Sequence, residues 1–200
     1  MRIAFAAILA LAAIPAVAQM PTTPPGKADA KLAKAGTYKV DTNHTQVLFT
    51  VNHLGFTFYT GQFTQPTGTL TLDPANPAND RVEVSFPIAK VATSAPALNE
   101  ELQKPALFDA AQFPEGKFVS TKVVVKGATA TITGNLTLKG VTKSVVLAAR
   151  FVGAGAMRGK DSVGFTATTS IQRSDFGISY IVPMVSDKVD LTINAGFVAL

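Results

Sequence analysis

The chain is dominated by segments in which apolar and polar residues alternate. Alternation with a period of two places one side of a strand toward an apolar interior and the other toward water. It predicts nine strands, over residues 36–41, 45–54, 61–72, 81–87, 117–126, 128–138, 143–151, 161–172 and 188–197. Short turn sequences such as Lys139-Gly140 separate neighbouring strands and favour antiparallel pairing. So many strands in one domain are expected to close into a sandwich or a barrel.

One segment between two of these strands, residues 94–113, lacks the alternation. Pro96 suits the first turn of a helix, and Pro105 would end the helix-forming stretch that follows it. Leu98 and Leu102 are four residues apart, so one helical face would carry both onto the barrel. A second short turn is expected at residues 106–110. The segment therefore predicts a short helical insertion over one end of the barrel.

The first 18 residues have the pattern of an export signal. Arg2 supplies the positive start, residues 3–14 are continuously apolar, and Ala16-Val17-Ala18 forms a small-x-small cleavage sequence before Gln19. The apolar run is shorter than the roughly 20 residues that a membrane-spanning helix needs. We therefore expect cleavage after Ala18 and a periplasmic location.

The composition favours a single domain stabilised by its own core. Hydrophobic residues make up 47% and charged residues 16% of the chain, which argues against disorder, and the absence of cysteine excludes disulfides. Residues 19–35 are predicted to be a flexible or partly helical leader, and residues 36–200 the domain. The net charge of +5 is scattered, so we expect no nucleic-acid partner, although transient contact with a membrane surface is allowed. A monomer and a homodimer both remain open.

Strand periodicity also predicts which residues face the interior. The inward apolar set includes Val47, Phe49, Val51, His53, Phe86, Leu136, Leu138, Ile171 and Ile193. Several inward positions carry small residues, namely Ala128, Ala130, Gly134, Ala149, Ala167 and Ala195. In a barrel of this size small lining residues leave unfilled space. We expect an apolar cavity that binds a ligand; a structural protein with a filled core is an alternative.

The two histidines are the candidates for metal binding or acid–base chemistry. His44 and His53 are nine residues apart, so on a regular strand they face opposite sides, and a shared site requires His44 to lie in a turn. Without a clear third ligand they form a weak zinc motif. We predict no metal site and no catalytic residue; a periplasmic enzyme or metal-binding protein that uses both histidines is the alternative.

Arg173 continues the inward face of its strand, which is unusual in an apolar barrel. An inward guanidinium must be paired or must contact the polar end of a ligand. Two roles therefore remain open for Arg173: an ion pair with a carboxylate at the rim, and recognition of a ligand head group.

Four motifs together resemble one family. They are Asp41-x-x-His44-x-x-Val47-x-Phe49-x-Val51-x-His53-Leu54 with Gly61-x-Phe63; Phe108-Asp109 with Phe113-Pro114 and Phe118-x-Ser120; the run Gly134-Asn135-Leu136-Thr137-Leu138-Lys139-Gly140-Val141-Thr142-Lys143; and Arg173-Ser174-Asp175-Phe176-Gly177. As a set they are similar to the YceI-like polyisoprenoid-binding family, over residues 36–200.

The resemblance implies an all-β, eight-stranded, antiparallel lipocalin-like barrel in the periplasm. Its pore would hold a long isoprenoid, either a polyprenyl lipid or the tail of an isoprenoid quinone, as its ligand, with no other cofactor. A barrel of eight strands requires the segment 36–41 or 61–72 to be irregular. The predicted ligand-binding residues are the inward set above together with Phe108, Phe118, Arg173 and Phe176.

Overall fold

The computed structural model describes residues 22–200, so the predicted signal peptide and its cleavage site lie outside the described residues. The strands are β1 Gly36–Val40, β2 Gln46–His53, β3 Thr57–Phe63, β4 Thr67–Leu72, β5 Arg81–Pro87, β6 Val91–Ala92, β7 Glu115–Lys126, β8 Thr129–Leu138, β9 Val141–Met157, β10 Lys160–Gln172 and β11 Lys188–Ala199. The helix α1 spans Pro96–Leu102, and 3-10 helices occur at Ala30–Leu32, Pro77–Asn79, Ile88–Lys90 and Arg173–Phe176.

These strands form one closed antiparallel sheet. In three places two short strands together take the position of one barrel strand: β1 with β2, β4 with β3, and β5 with β6. β1 and β2 pair with the same edge of β11, through Val40 opposite Phe197 and Gln46 opposite Asn194. β4 and β3 pair with β1 and β2, and β5 and β6 pair in turn with β4 and β3. The long strands β7 to β11 complete the ring. The predicted eight-stranded barrel is confirmed: the segment 61–72 is interrupted between Phe63 and Thr67, and β1 shares one barrel strand with β2.

The side chain of Thr45 bridges the gap in backbone pairing between β1 and β2. The Thr45 hydroxyl donates to the Gly196 carbonyl oxygen at 3.2 Å and accepts from the Gly196 N–H at 3.0 Å. The Asp41 N–H donates to the same carbonyl oxygen at 2.8 Å. Thr45 therefore satisfies the β11 backbone where the strand beside it bends away.

Three hairpins turn on a residue followed by glycine, both in the left-handed region; in the β2–β3 hairpin these are Leu54 and Gly55, with φ of 56° and 74°. Lys139 and Gly140 have φ of 47° and 75°, and Arg158 and Gly159 have φ of 53° and 78°. Such pairs make the tight turns whose twist matches antiparallel strands. The Lys139-Gly140 turn was predicted, but the predicted end of the seventh strand at residue 151 is wrong, since β9 continues to Met157.

Two glycines in this extension of β9, Gly153 and Gly155, make room for the leader. A Cβ built on Gly155 would overlap the carbonyl oxygen of Pro25. Lys27 and Ala154 exchange two backbone hydrogen bonds of 3.0 Å. In residues 22–35 the predicted leader contains one 3-10 turn, and it packs along β9 across one end of the barrel.

The opposite end, here called the mouth, is built by four connections: the β2–β3 turn, the segment 93–114 with α1, the β8–β9 turn and the segment 173–187. The predicted helical insertion is confirmed as α1, and the following turns contain Phe108, which packs against the core with Leu102. Residues 22–200 contain no helix long and apolar enough to cross a membrane.

Candidate functional site: a cavity through the barrel

A cavity of about 930 Å³ runs along the inside of the barrel. Its wall extends from Ala30 and Pro77 at the leader end to Leu98 and Tyr180 at the mouth. This volume lies at the upper end of the range of about 300–1,000 Å³ that is usual for small-molecule sites. The cavity contradicts the alternative of a structural protein with a filled core.

The wall is formed by the inward residues of the strands, as their alternation requires. All predicted ligand-binding residues except Phe176 lie on it: Val47, Phe49, Val51, His53, Phe86, Phe108, Phe118, Leu136, Leu138, Ile171, Arg173 and Ile193. Phe176 is 1% exposed and packs in the core beside Ile178. Contact of these residues with a ligand stays a prediction.

An aromatic cluster surrounds the cavity below the mouth. Phe63 lies at its centre, with ring centroids 5.5 Å from Phe49, 4.7 Å from Phe86 and 5.4 Å from Phe108. The contact with Phe108 is edge-to-face and joins the α1 segment to the barrel wall. The cluster gives this part of the cavity a rigid apolar wall.

A row of small residues widens the middle of the cavity. Ala130 pairs with Ala149 across β8 and β9, and Ala149 pairs with Ala167 across β9 and β10. All three line the cavity. The predicted role of small residues therefore holds here, but it is wrong for Gly134, whose empty side-chain position is occupied by the Phe118 ring.

Polar side chains lie at both ends of the cavity wall: His53, Tyr59, Glu101 and Tyr180 at the mouth, and Lys31, Asp80, Arg81 and Arg150 at the leader end. The Tyr59 and Ser94 hydroxyls share a hydrogen bond of 2.9 Å, which ties β3 to the start of the α1 segment and lowers the pKa of the Tyr59 phenol. The site thus combines an apolar interior with a polar rim, the arrangement expected for an amphiphile with a long apolar part.

Comparisons with known proteins agree with this architecture. The sequence matches the YceI-like domain over residues 38–197. The chain belongs to the YceI-like family. It is 37% identical to Protein YceI of Salmonella arizonae over 165 residues, which cover 81% of this chain and 86% of that protein.

Two solved structures share the YceI-like fold. Burkholderia cenocepacia BcnA superposes with a TM-score of 0.72 at 22% identity, covering 78% of this chain and 98% of BcnA. A polyisoprenoid binding domain from Saccharophagus degradans, implicated in plant cell wall breakdown, gives a TM-score of 0.64 at 12% identity, covering 84% and 100%. At these identities the similarity shows the fold alone.

The late YceI-like motif forms a clamp at the mouth. Arg173 is 8% exposed, and its guanidinium donates to four main-chain carbonyl oxygens: Ser186 at 2.9 Å, Ile178 at 3.0 Å, Tyr180 at 2.9 Å and Val185 at 2.8 Å. The structure thus shows a third role for Arg173, which holds the segment 173–187 by its backbone. Burial lowers the pKa of Arg173, and the Asp187 carboxylate opposes this shift.

Asp187 holds the other end of the segment 173–187 through hydrogen bonds with Ser174. The Ser174 N–H donates to one Asp187 carboxylate oxygen at 2.8 Å and the Ser174 hydroxyl donates to the other at 2.6 Å. These hydrogen bonds, the hydroxyl first, hold the pKa of Asp187 below its ordinary value. Together with Arg173 they fix the two ends of the segment that includes Tyr180 and Ile181 of the cavity wall.

The hairpin motif supports the mouth in a similar way. The Lys139 ammonium donates to the Pro105 carbonyl oxygen at 2.7 Å and lies 3.4 Å from the Gly177 carbonyl oxygen. The ring of Phe113 lies where Gly140 lacks a side chain. The motifs that carry the family resemblance therefore join three of the connections that build the mouth.

The structure places the two histidines at opposite ends of β2. His44 lies in the turn before β2, exposed, with Nδ1 2.8 Å from an Asp41 carboxylate oxygen. β2 has 8 residues, so the rise of about 3.3 Å per residue separates the histidines by roughly 25 Å. Within residues 22–200 no three acidic or histidine side chains gather to hold a metal ion. The geometry does not support the alternative of a shared site.

Sequence reasoning missed several wall residues. Phe63 and Tyr59 belong to a strand that the alternation merged with the next one, and Phe151 was placed at the end of its strand. The signal for Phe63 was present, because Gly61 and Phe63 alternate with the neighbouring polar residues. The contribution of Leu107 from the α1 segment has no periodic signal in the sequence.

Proposed function

We propose that this protein is a non-enzymatic binding protein that holds a long isoprenoid lipid inside its barrel. The observation that supports the proposal most directly is the cavity of about 930 Å³, whose wall is apolar along the length of the barrel. A closed eight-stranded barrel is wide enough to hold one small ligand. An apolar cavity that runs along the barrel suits one long flexible chain better than a compact polar metabolite.

Family membership narrows the ligand class. The Saccharophagus degradans domain with the same fold is named a polyisoprenoid binding domain. Methyl-branched prenyl units need an apolar cavity of varying width, and the aromatic cluster and the alanine row supply a bulky section and an open section of its wall. A polyprenyl lipid and the tail of an isoprenoid quinone both meet this description.

The polar side chains at the mouth support one orientation of the ligand, because Asp80 and Arg81 at the leader end already hydrogen-bond to backbone groups of the β4–β5 connection. We place its head group at the mouth, beside His53, Tyr59 and Tyr180, and its tail toward the leader end. In this arrangement the hydroxyls and imidazole bind a hydroxyl, phosphate or quinone oxygen, while the apolar chain lies entirely inside the barrel. Transport, storage and protection of the lipid all require this same complex.

The export pattern of residues 1–18 supports a periplasmic site of action. The intact mass of the protein isolated from the periplasm tests it, and a mass that begins at Gln19 is the expected result. A mass that includes residues 1–18 would contradict both the cleavage and the proposed compartment.

Organic extraction of the purified protein, followed by mass spectrometry of the extract, tests the ligand. We expect a prenyl lipid in amounts comparable with the protein. Extraction of an equal amount of a variant with a charge in the cavity wall, Ile193→Asp, provides the control and should yield no lipid. Recovery of the same lipid from both proteins would show that it adheres elsewhere.

A further inference from the structure

The mouth carries a group of exposed apolar side chains, here called the lip. It comprises Leu54, Phe56 and Phe58 of the β2–β3 hairpin together with Tyr180, Ile181 and Met184 of the segment 173–187. Phe56 is 89% and Phe58 71% exposed. Large exposed apolar groups on a soluble domain mark interaction surfaces when they occur together rather than singly.

The two segments of the lip form one surface. The Leu54 N–H donates to the Met184 carbonyl oxygen at 2.8 Å, and the Ser186 N–H donates to the Asn52 carbonyl oxygen at 2.9 Å. His53 and Val185 form a β-bridge between these two contacts. The segment 173–187 thus extends the β2–β3 hairpin, so the side chains of both segments project from the same end of the barrel.

The lip is continuous with the cavity. Tyr180 and Ile181 are exposed and also line the cavity wall. Since Arg173 holds the Tyr180 carbonyl and its neighbours, the segment is fixed in this position. An apolar molecule that leaves the cavity beside Ile181 therefore meets the apolar side chains of the lip rather than water.

The lip also lacks charge. No Asp, Glu, Lys or Arg occurs between Asp41 and Asp73, or between Asp175 and Asp187. Protein-binding surfaces typically surround their apolar centre with a polar rim that includes charges, whereas charged side chains are costly inside a bilayer. Phe56 follows a tight turn and projects from it, a shape suited to insertion among lipids rather than to a flat contact.

We propose that the lip inserts into the surface of a lipid bilayer and opens the cavity directly onto the hydrocarbon of that membrane. The proposal rests on the proposed function, since it names the source from which the isoprenoid is loaded. A prenyl chain then passes from bilayer to barrel without exposing its length to water. Because the lip is uncharged, docking depends on apolar insertion and responds little to salt or to anionic lipid.

Flotation with phosphatidylcholine vesicles tests the docking. The wild-type protein should float with the vesicles at low and at high salt, and the double variant Phe56→Ser, Phe58→Ser should bind at least about tenfold more weakly. The matched control is Met157→Ser, which removes an exposed apolar side chain at the leader end and should leave binding unchanged. Equal binding by the double variant, or no flotation of the wild type, would overturn the proposal.

The chain has no tryptophan, so Phe56→Trp introduces a single reporter at the lip. Its emission should shift to shorter wavelength on addition of vesicles and should be quenched by brominated acyl chains. Met157→Trp reports from the other end and should do neither. A lip tryptophan that stays in water while the protein is bound would contradict insertion.

Binding of farnesol in solution separates this proposal from the proposed function. The double lip variant should bind farnesol as the wild type does, yet take up a prenyl lipid from vesicles more slowly. A wild type that floats with vesicles but binds no prenyl ligand would refute the proposed function and leave docking standing. If the lip substitutions instead convert a dimer to a monomer without changing flotation, the lip is a contact between copies and the proposal fails.

Discussion

Phe118 on β7 lies against Gly134 on β8, and its ring occupies the space in which Gly134 has no side chain. A Cβ built on Gly134 would lie 2.6 Å from Cε2 of that ring. The same relationship recurs twice, with Phe49 against Gly61 and Phe86 against Gly116. These glycines allow phenylalanine rings to lie close to the backbone of the sheet, so that large residues line the barrel without filling it.

Substitution Gly134→Ala should therefore destabilise the fold and reduce the space for a ligand. The added methyl group overlaps both the Phe118 ring and the Val119 carbonyl oxygen, and such overpacking costs about 1–3 kcal/mol. Chemical denaturation measures the first effect and titration with a long prenyl ligand the second. Gly164→Ala is the control, because its Cβ would have no heavy atom nearer than 3.9 Å. Equal effects of the two substitutions would disprove the role of the ring contact.

A charge on the cavity wall should abolish ligand binding. The side chain of Asp in Ile193→Asp is too short to reach water past the barrel wall, and an unpaired buried charge costs roughly 3 kcal/mol or more. Thr192→Asp places the same group on the exposed face of β11 and should leave both binding and stability nearly unchanged. Thermal unfolding and ligand titration of both variants check this. Similar behaviour of the pair would mean that the inward face has been misassigned.

The sequence predicted the inward faces well because alternation reports directly on which side of a strand is buried. The sequence indicated only in outline that β1 and β2 share one barrel strand. The break between them depends on the hydrogen bond from Thr45 to Gly196, which is 151 residues away along the chain. Sequence reasoning failed for glycine positions. In the sequence, Gly134 and Gly155 cannot be distinguished from glycines of a turn or of a cavity wall. Their roles depend on residues that only the fold brings close: Phe118 lies against Gly134, and Pro25 lies against Gly155.

Replacement of Arg173 by Ala should loosen the mouth rather than alter head-group preference. The change leaves four carbonyl oxygens without their charged donor, and we expect a loss of about 2–4 kcal/mol. Arg173→Lys should recover only part of it, because an ammonium group cannot reproduce the planar fork of the guanidinium. Hydrogen exchange over residues 178–186 provides the measurement. Unchanged protection together with a selective loss of ligands with anionic head groups would instead support recognition of the head group.

The clamp at Asp187 should weaken in acid. Hydrogen bonds from Ser174 lower the pKa of Asp187 in the folded protein. The contribution of Asp187 to stability is therefore present above the ordinary carboxyl pKa of about 3.9 and is lost as the pH falls through the lowered value. Proteolysis of the segment 173–187 should therefore accelerate in that acid range. Asp187→Asn cannot titrate and should show a mouth that is already loosened at neutral pH. An identical acid response in wild type and variant would assign it to other carboxylates.

Affinity should rise with prenyl chain length until the cavity is full, and then level off. Each buried methylene-sized group contributes about 0.8 kcal/mol, so one five-carbon unit adds at most roughly 3 kcal/mol before the cost of ordering a flexible chain is subtracted. Substitution Ala149→Phe places a ring in the middle of the alanine row and should move the plateau to shorter chains. Ala148→Phe, on the exposed face of the same strand, should leave the plateau where it is in the wild type. Titration of the delipidated proteins with prenyl alcohols of increasing length measures both effects. If affinity does not depend on chain length, or if the two phenylalanine variants behave alike, the ligand does not lie along the barrel.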